Sequence, residues 1–223
     1  MGTEMIANAS TAAKAEILRR IRKANGITAD IDSARAAWSQ ITREYRRAAS
    51  QEHEAVLCLL EDRLRDYDAH VVRAQQVEIS AAIAKVLAER GKHRIVIPAG
   101  IPVGWLPEGV EFVTDEGMTA TELDGFDGIL TASTVAIAET GTVVLQNVAG
   151  QGRRAVTLVP DYHLCIVQAS DVVATVPEAM DRLNTTATLP TTFFSGPSAT
   201  ADIEMTRIKG VHGPRYLDVI LVC

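Results

Sequence analysis

Three short segments hold the residues whose types and spacing could do chemistry. In Ile137-Ala138-Glu139-Thr140-Gly141-Thr142, a carboxylate and two hydroxyls sit between apolar runs. The polar residues should therefore fall at a tight turn, where Gly141 permits a left-handed backbone and N–H groups can form an anion nest. A hairpin whose threonines merely satisfy the turn is the plainer reading. In Phe193–Glu204, a strand is expected to pass through Gly196-Pro197 into a helix with Ser198 and Thr200 in its first turn. The open N–H groups of such a helix start suit an anion, while Ser198 equally suits a plain N-cap. Neither a phosphate loop nor a nucleophile elbow has its frame here. In Arg207–Arg215, the residues Lys209, His212 and Arg215 are interspersed with Gly210, Gly213 and Pro214, which describes a shaped cationic loop. Arg153 and Arg154 could add positive charge, although each such side chain taken singly is more often solvated. Glu139 and His212 are the candidate general acid/base groups by context. A histidine in a glycine loop more often makes a structural hydrogen bond. Cys165 alternates within an apolar run and reads as an inert core thiol.

Composition narrows the field. The chain has 223 residues, 47% of them hydrophobic, and a formal net charge of −6. That length buries a full core without staples. The acidic balance opposes nucleic-acid binding, and 4% aromatic content leaves little for base stacking. Three widely spaced cysteines, Cys58, Cys165 and Cys223, read as reduced thiols of a cytoplasmic protein. No CxxC, HExxH or His-x-His pattern occurs, so no metal or iron–sulfur cofactor is expected in this chain. No apolar run approaches a membrane span, and no secretory signal is visible at the start.

The elements that must position these segments follow from periodicity. Helical spacing predicts helices over residues 12–25, 30–49 and 52–65, with the arginine-rich stretch 43–47 as a solvated face or a docking surface. From Ala69 onward, short β-branched runs alternate with helices. Strands are expected near 69–72, 94–98, 110–114, 128–132, 143–146, 164–168 and 216–222. Helices are expected near 75–90, 178–183 and 200–205. That alternation describes an α/β sheet with helices on its faces. The expected division is an N-terminal helical extension over residues 1–66 and an α/β domain over 67–223.

Taken together, Ile137–Thr142, Gly196–Glu204 and Gly210–Pro214 resemble the LUD-domain family, of the lactate utilisation protein C type. The likeness runs from about Ala69 to Val222, and the helix around Ile17–Arg22 looks like the family's opening. The resemblance implies a three-layer α/β fold similar to the ribose-phosphate isomerase and CoA-transferase group. It also implies a role in oxidising L-lactate to pyruvate beside separate iron–sulfur and oxidoreductase subunits. A small carboxylate or phosphate is the ligand class these loops suit, with Thr140, Gly141, Thr142, Gly196, Ser198, Thr200, Lys209 and Arg215 as the binding candidates. The alternative is a stand-alone CoA-transferase- or isomerase-like enzyme with Glu139 as base or nucleophile. Fold alone does not choose between them.

Overall fold

The computed structural model describes residues 2–26, 30–201, 207–210 and 212–223. The chain divides into two compact units, Met1–Tyr45 and Arg46–Cys223. The first holds two helices, α1 (Gly2–Ala24) and α2 (Ile31–Ser39). Asp30 caps α2, its carboxylate accepting from the Ser33 N–H at 2.7 Å. The helix expected over 30–49 stops at Ser39, because no residue of α2 is buried and no packing rewards its continuation. The Arg43 guanidinium donates instead to the Trp38 and Ile41 carbonyls and lies over the Trp38 ring.

The second unit runs α3 (His53–Asp66), β1 (His70–Ala74), α4 (Ile79–Arg90), β2 (Arg94–Ile97), β3 (Glu111–Thr114), α5 (Ala120–Asp124), β4 (Gly128–Thr131), β5 (Val135–Ile137), β6 (Thr142–Gln146), β7 (Tyr162–Gln168), β8 (Val172–Val173), α6 (Val176–Leu183), β9 (Thr191–Phe194), β10 (Ala199–Ala201), β11 (Arg207–Lys209) and β12 (Tyr216–Val222). Six strands form a parallel sheet in the order β1-β12-β7-β4-β2-β3. Four more form a mixed sheet, β8-β5-β6-β9, and β10 pairs with β11 as an antiparallel ribbon.

Residue parity decides what each face of the parallel sheet meets. Even positions of β7 and β12, such as Leu164, Ile166 and Ile220, pack under Ile83 and Leu87 of α4. Odd positions, such as Cys165, Val167, Val219 and Leu221, meet both α3 and the inner face of the small sheet. Helix α6 covers the small sheet's other face through Ala179 and Leu183. The result is an α/β unit with two sheets. Helix α3, grouped with residues 1–66 in the sequence reading, sits in this unit with Val56, Leu57, Leu60 and Leu64 in its core.

The helix expected over 200–205 is a second correction. Residues 199–201 are extended and pair with 207–209, while 202–206 lie outside the described residues. Ser198 therefore does not open a helix turn, and the helix-dipole argument for an anion there lapses.

Open parallel sheets commonly bind ligands at the carboxyl ends of strands flanking the switch of strand order; here the loop after β6 fills part of that position, beside a recess of about 550 Å³ lined by Pro98, Gly100, Asp115 and Arg153. The loop after β6 lays Gly150 between the ends of β2 and β4. Its N–H donates to the Ala99 carbonyl and its own carbonyl accepts from the Ala132 N–H, both at 2.8 Å.

At the opposite end, Asp218 of β12 is 1% exposed and takes a bidentate contact from Arg90 at 2.9 and 2.6 Å. The Tyr162 hydroxyl donates to the same carboxylate at 3.0 Å, and burial pushes that phenol well above its ordinary range. This cluster ties the last turn of α4 to two interior strands, β7 and β12. In Arg90→Met the carboxylate loses its counter-charge while staying buried, so the variant should lose about 3 kcal/mol in urea unfolding. Adding Asp218→Asn to it should recover part of that loss.

Candidate functional site

A cavity of about 230 Å³ opens at the amino ends of β7 and β12. His163 and Leu217, register partners on the odd-numbered face, form its floor. Phe194 of β9 forms a wall, its ring 5.1 Å from that of His163. Loop residues Ser195–Ala199, His212–Pro214, Arg154 and Thr157 complete it. The volume falls below that of most drug-sized sites and suits a small metabolite. A wider outer chamber of about 720 Å³ shares Arg154, His212 and Gly213 with it, and adds Asp161 and Arg215.

Two of the three segments singled out by sequence build this cavity together. The Ser198 hydroxyl accepts from the His212 N–H at 3.1 Å, the Ser198 N–H donates to the Pro214 carbonyl at 2.8 Å, and the Gly210 N–H donates to the Ser198 carbonyl at 2.9 Å. Gly196 makes the approach possible. It has φ +89°, and a Cβ there would stand 2.5 Å from the Tyr67 Cβ and 2.8 Å from the Tyr67 carbonyl oxygen. Gly196→Ala meets both an unfavourable backbone region and a steric overlap. It should lower the thermal midpoint and cost about 2–3 kcal/mol on unfolding.

The first segment lies elsewhere. It forms the expected tight turn, between β5 and β6, and Gly141 has φ +59°. The Thr140, Thr142 and Ser195 hydroxyls form a chain at 2.7 Å each, so the turn reaches the cavity only through Ser195. Glu139 is exposed and ion-paired to Arg46 at 2.7 Å. It lines a different recess of about 280 Å³ with Arg46, Gln51 and Arg63, so Glu139 and His212 do not share a pocket.

The cations sort by their partners. Arg215 is clamped bidentately by Asp161 at 2.6 and 2.7 Å. Arg153 is held by Asp115 at 2.7 and 2.8 Å and by the Met118 carbonyl. The guanidinium keeps the Asp115 carboxyl below its ordinary range. Arg154, by contrast, has a single long contact, to Thr157 Oγ1 at 3.4 Å, and no ion pair among the described residues. It is the cavity's uncommitted cation. Thr200 and Lys209 lie on β10 and β11, and their side chains are outside the described set.

Against this geometry, residues 7–222 match the LUD domain. The chain belongs to the LUD-domain family. It is 44% identical over 170 residues to lactate utilization protein C of Deinococcus radiodurans, across 75% of this chain and 79% of that protein. With lactate utilization protein C of Bacillus subtilis it shares 38% identity over 99 residues, 42% of this chain and 41% of the other. The crystal structure of a DUF162-family protein from Deinococcus radiodurans superimposes with a TM-score of 0.68 at 37% identity, covering 78% of this chain and 99% of that one.

Within this LUD domain, the sequence reading missed His163 and Ser195. His163 is 3% exposed, and its Nε2 shares a hydrogen bond with Thr131 Oγ1 at 2.8 Å. Its one available signal was a polar residue at an inward position of a strand otherwise apolar on that face. Burial, reinforced by the Arg154 charge, pushes the imidazole down to about 3. Unfolded, the same group binds a proton below about pH 6.5. The unfolded state therefore holds the extra proton between those values, so stability is complete above pH 6.5 and falls as pH drops through the window. Between pH 8 and pH 5 this group should cost about 2 kcal/mol. The decline measured by urea unfolding should be shallower by that amount in His163→Gln.

Proposed function

We infer that this chain serves lactate utilisation as a non-redox subunit, binding a small carboxylate at the Arg154 cavity. The observation that carries the reading is Arg154 itself, a guanidinium without an ion-pair partner among the described residues, at a cavity of metabolite size. A planar guanidinium pairs with carboxylate through two parallel hydrogen bonds. The Ser195 and Ser198 hydroxyls and Thr157 line the same cavity, with Leu217 and Phe194 offering an apolar wall. One charge-assisted hydrogen bond contributes about 1.5–3 kcal/mol, so two approach millimolar affinity.

The similarity to proteins named lactate utilization protein C supports lactate metabolism as the setting. The absence of clustered cysteines in the sequence agrees with a division of labour in which iron–sulfur and oxidoreductase chains carry the electrons in the cytoplasm. No helix among the described residues is long and apolar enough to cross a membrane. A fold similar to the ribose-phosphate isomerase and CoA-transferase group is what the family resemblance implies, and the alternative of a stand-alone enzyme of that kind rests on the Glu-Thr-Gly-Thr turn. A catalytic Glu139 on that pattern has less support, since its carboxylate is engaged by Arg46 away from the cavity. His212, which borders both chambers, is the better placed of the two proposed acid/base groups.

The test is lactate-dependent dye reduction in extracts of cells lacking only this chain. Purified wild-type protein should restore the activity, and Arg154→Gln should restore less than about a tenth of it, the loss of one charge-assisted bond. Full lactate oxidation in the extract without the chain would overturn the assignment.

A further inference from the structure

Resting on that reading of the cavity, we propose that His163 is its specificity-determining residue: with the carboxylate on Arg154, its free Nδ1 recognises the oxygen at C2 and selects 2-hydroxy and 2-oxo acids over simple carboxylates. His163 is 3% exposed, and Nε2 is committed to Thr131. Among the described residues Nδ1 has no hydrogen-bond partner, yet no fully buried side-chain nitrogen or oxygen among them lacks one. Nδ1 therefore reaches open space, and the open space this side chain borders is the cavity. A polar atom on an otherwise buried ring, aimed into a small cavity, is an unmet hydrogen-bonding demand.

The surroundings say what meets it. Arg154 and His163 line the same cavity of about 230 Å³, so one small anion held there borders both groups. Bound on Arg154 through its carboxylate, such an anion carries its next substituents toward the floor. There the polar floor group is His163, and Leu217 and Phe194 are the apolar neighbours. A C2 oxygen facing the imidazole and a methyl facing Leu217 or Phe194 describe a short 2-substituted acid. The imidazole stays neutral and so adds no second charge to the carboxylate site. Thr131 Oγ1 can donate to or accept from Nε2, so Nδ1 can present the complementary role to a hydroxyl or to a carbonyl. Lactate and pyruvate should both be accepted. Propionate, which lacks the C2 oxygen, leaves Nδ1 unpaired, and sites built to bond a substrate oxygen reject the analogue without it.

The test is calorimetric titration of the full chain with L-lactate, pyruvate and propionate. For wild type, lactate and pyruvate should bind at least about tenfold more tightly than propionate, the worth of one hydrogen bond. His163→Gln keeps a partner for Thr131 where Nε2 was and deletes the Nδ1 position, so the ratio should collapse to near one with propionate affinity retained. His163→Asn places its amide where Nδ1 was and should keep most of the preference. Retained propionate binding in each variant doubles as the check on folding, and the wild-type ratio tests the proposal without any variant. Equal affinity of wild type for lactate and propionate overturns the role of His163 while leaving a carboxylate site at Arg154. A preference for lactate that survives in His163→Gln also overturns it. If no acid binds the wild type, both this proposal and the cavity reading fall.

Discussion

The alternation of side chains along β7 and β12 is the constraint on which the rest depends. Both strands have neighbours on either side, and apart from Tyr216 and Gln168 at their ends their residues are buried against one packed layer or the other. That parity sends Tyr162 and Asp218 to the α4 face, where they close an ion pair with Arg90. It sends His163 and Leu217 to the face shared with the small sheet, where they floor the cavity. A slip of one residue would exchange the two sets, placing the imidazole under α4 and a carboxylate in the cavity. The buried Arg90 contact resists that slip, since the guanidinium has its carboxylate only in the native register. The structural pair and the cavity floor are thus fixed by the same ladder.

Much of this architecture was readable from sequence. The strands around 94–98, 110–114 and 216–222 and the helix ending at Gly91 were marked by apolar runs and a glycine stop. In the runs at 94–98 and 216–222, near-continuous hydrophobicity is what burial on two faces requires. The failures share a cause, because local pattern does not know its tertiary partners. The stripe from Ile31 to Tyr45 has helical spacing, but it lacks a layer to pack on within its unit, and the helix ends at Ser39. Residues 199–201 looked like a helix start after Gly-Pro, yet extended pairing with 207–209 won. That pairing lies across the segment and leaves no periodic mark in either half.

The site was half readable for the same reason. Gly196, Ser198 and His212 stood out by composition, and the structure joins them through the backbone around Ser198. Glu139 stood out equally, but which recess it borders depends on where β5 lies in the small sheet and on Arg46 lying beside it. His163 did not stand out, because its meaning comes from burial and from Thr131 on the adjoining strand. A polar residue within an apolar strand is a sequence signal. Whether its second nitrogen has a partner is a structural one.

Arginine is abundant in this acidic chain, and composition alone cannot separate structural cations from binding ones. The carboxylates do so. Asp218 takes Arg90, Asp115 takes Arg153, Asp161 takes Arg215 and Glu139 takes Arg46. Among the described residues these pairs occupy four arginines and leave Arg154 without an ion pair at the cavity that the neutral His163 imidazole also lines. On the proposed reading, an incoming anion meets the Arg154 guanidinium as the cation without an ion pair among the described residues of the cavity. A small anion oriented by a single guanidinium must be told from its analogues by whatever neutral groups face its other atoms, and in this cavity the most buried of those is His163.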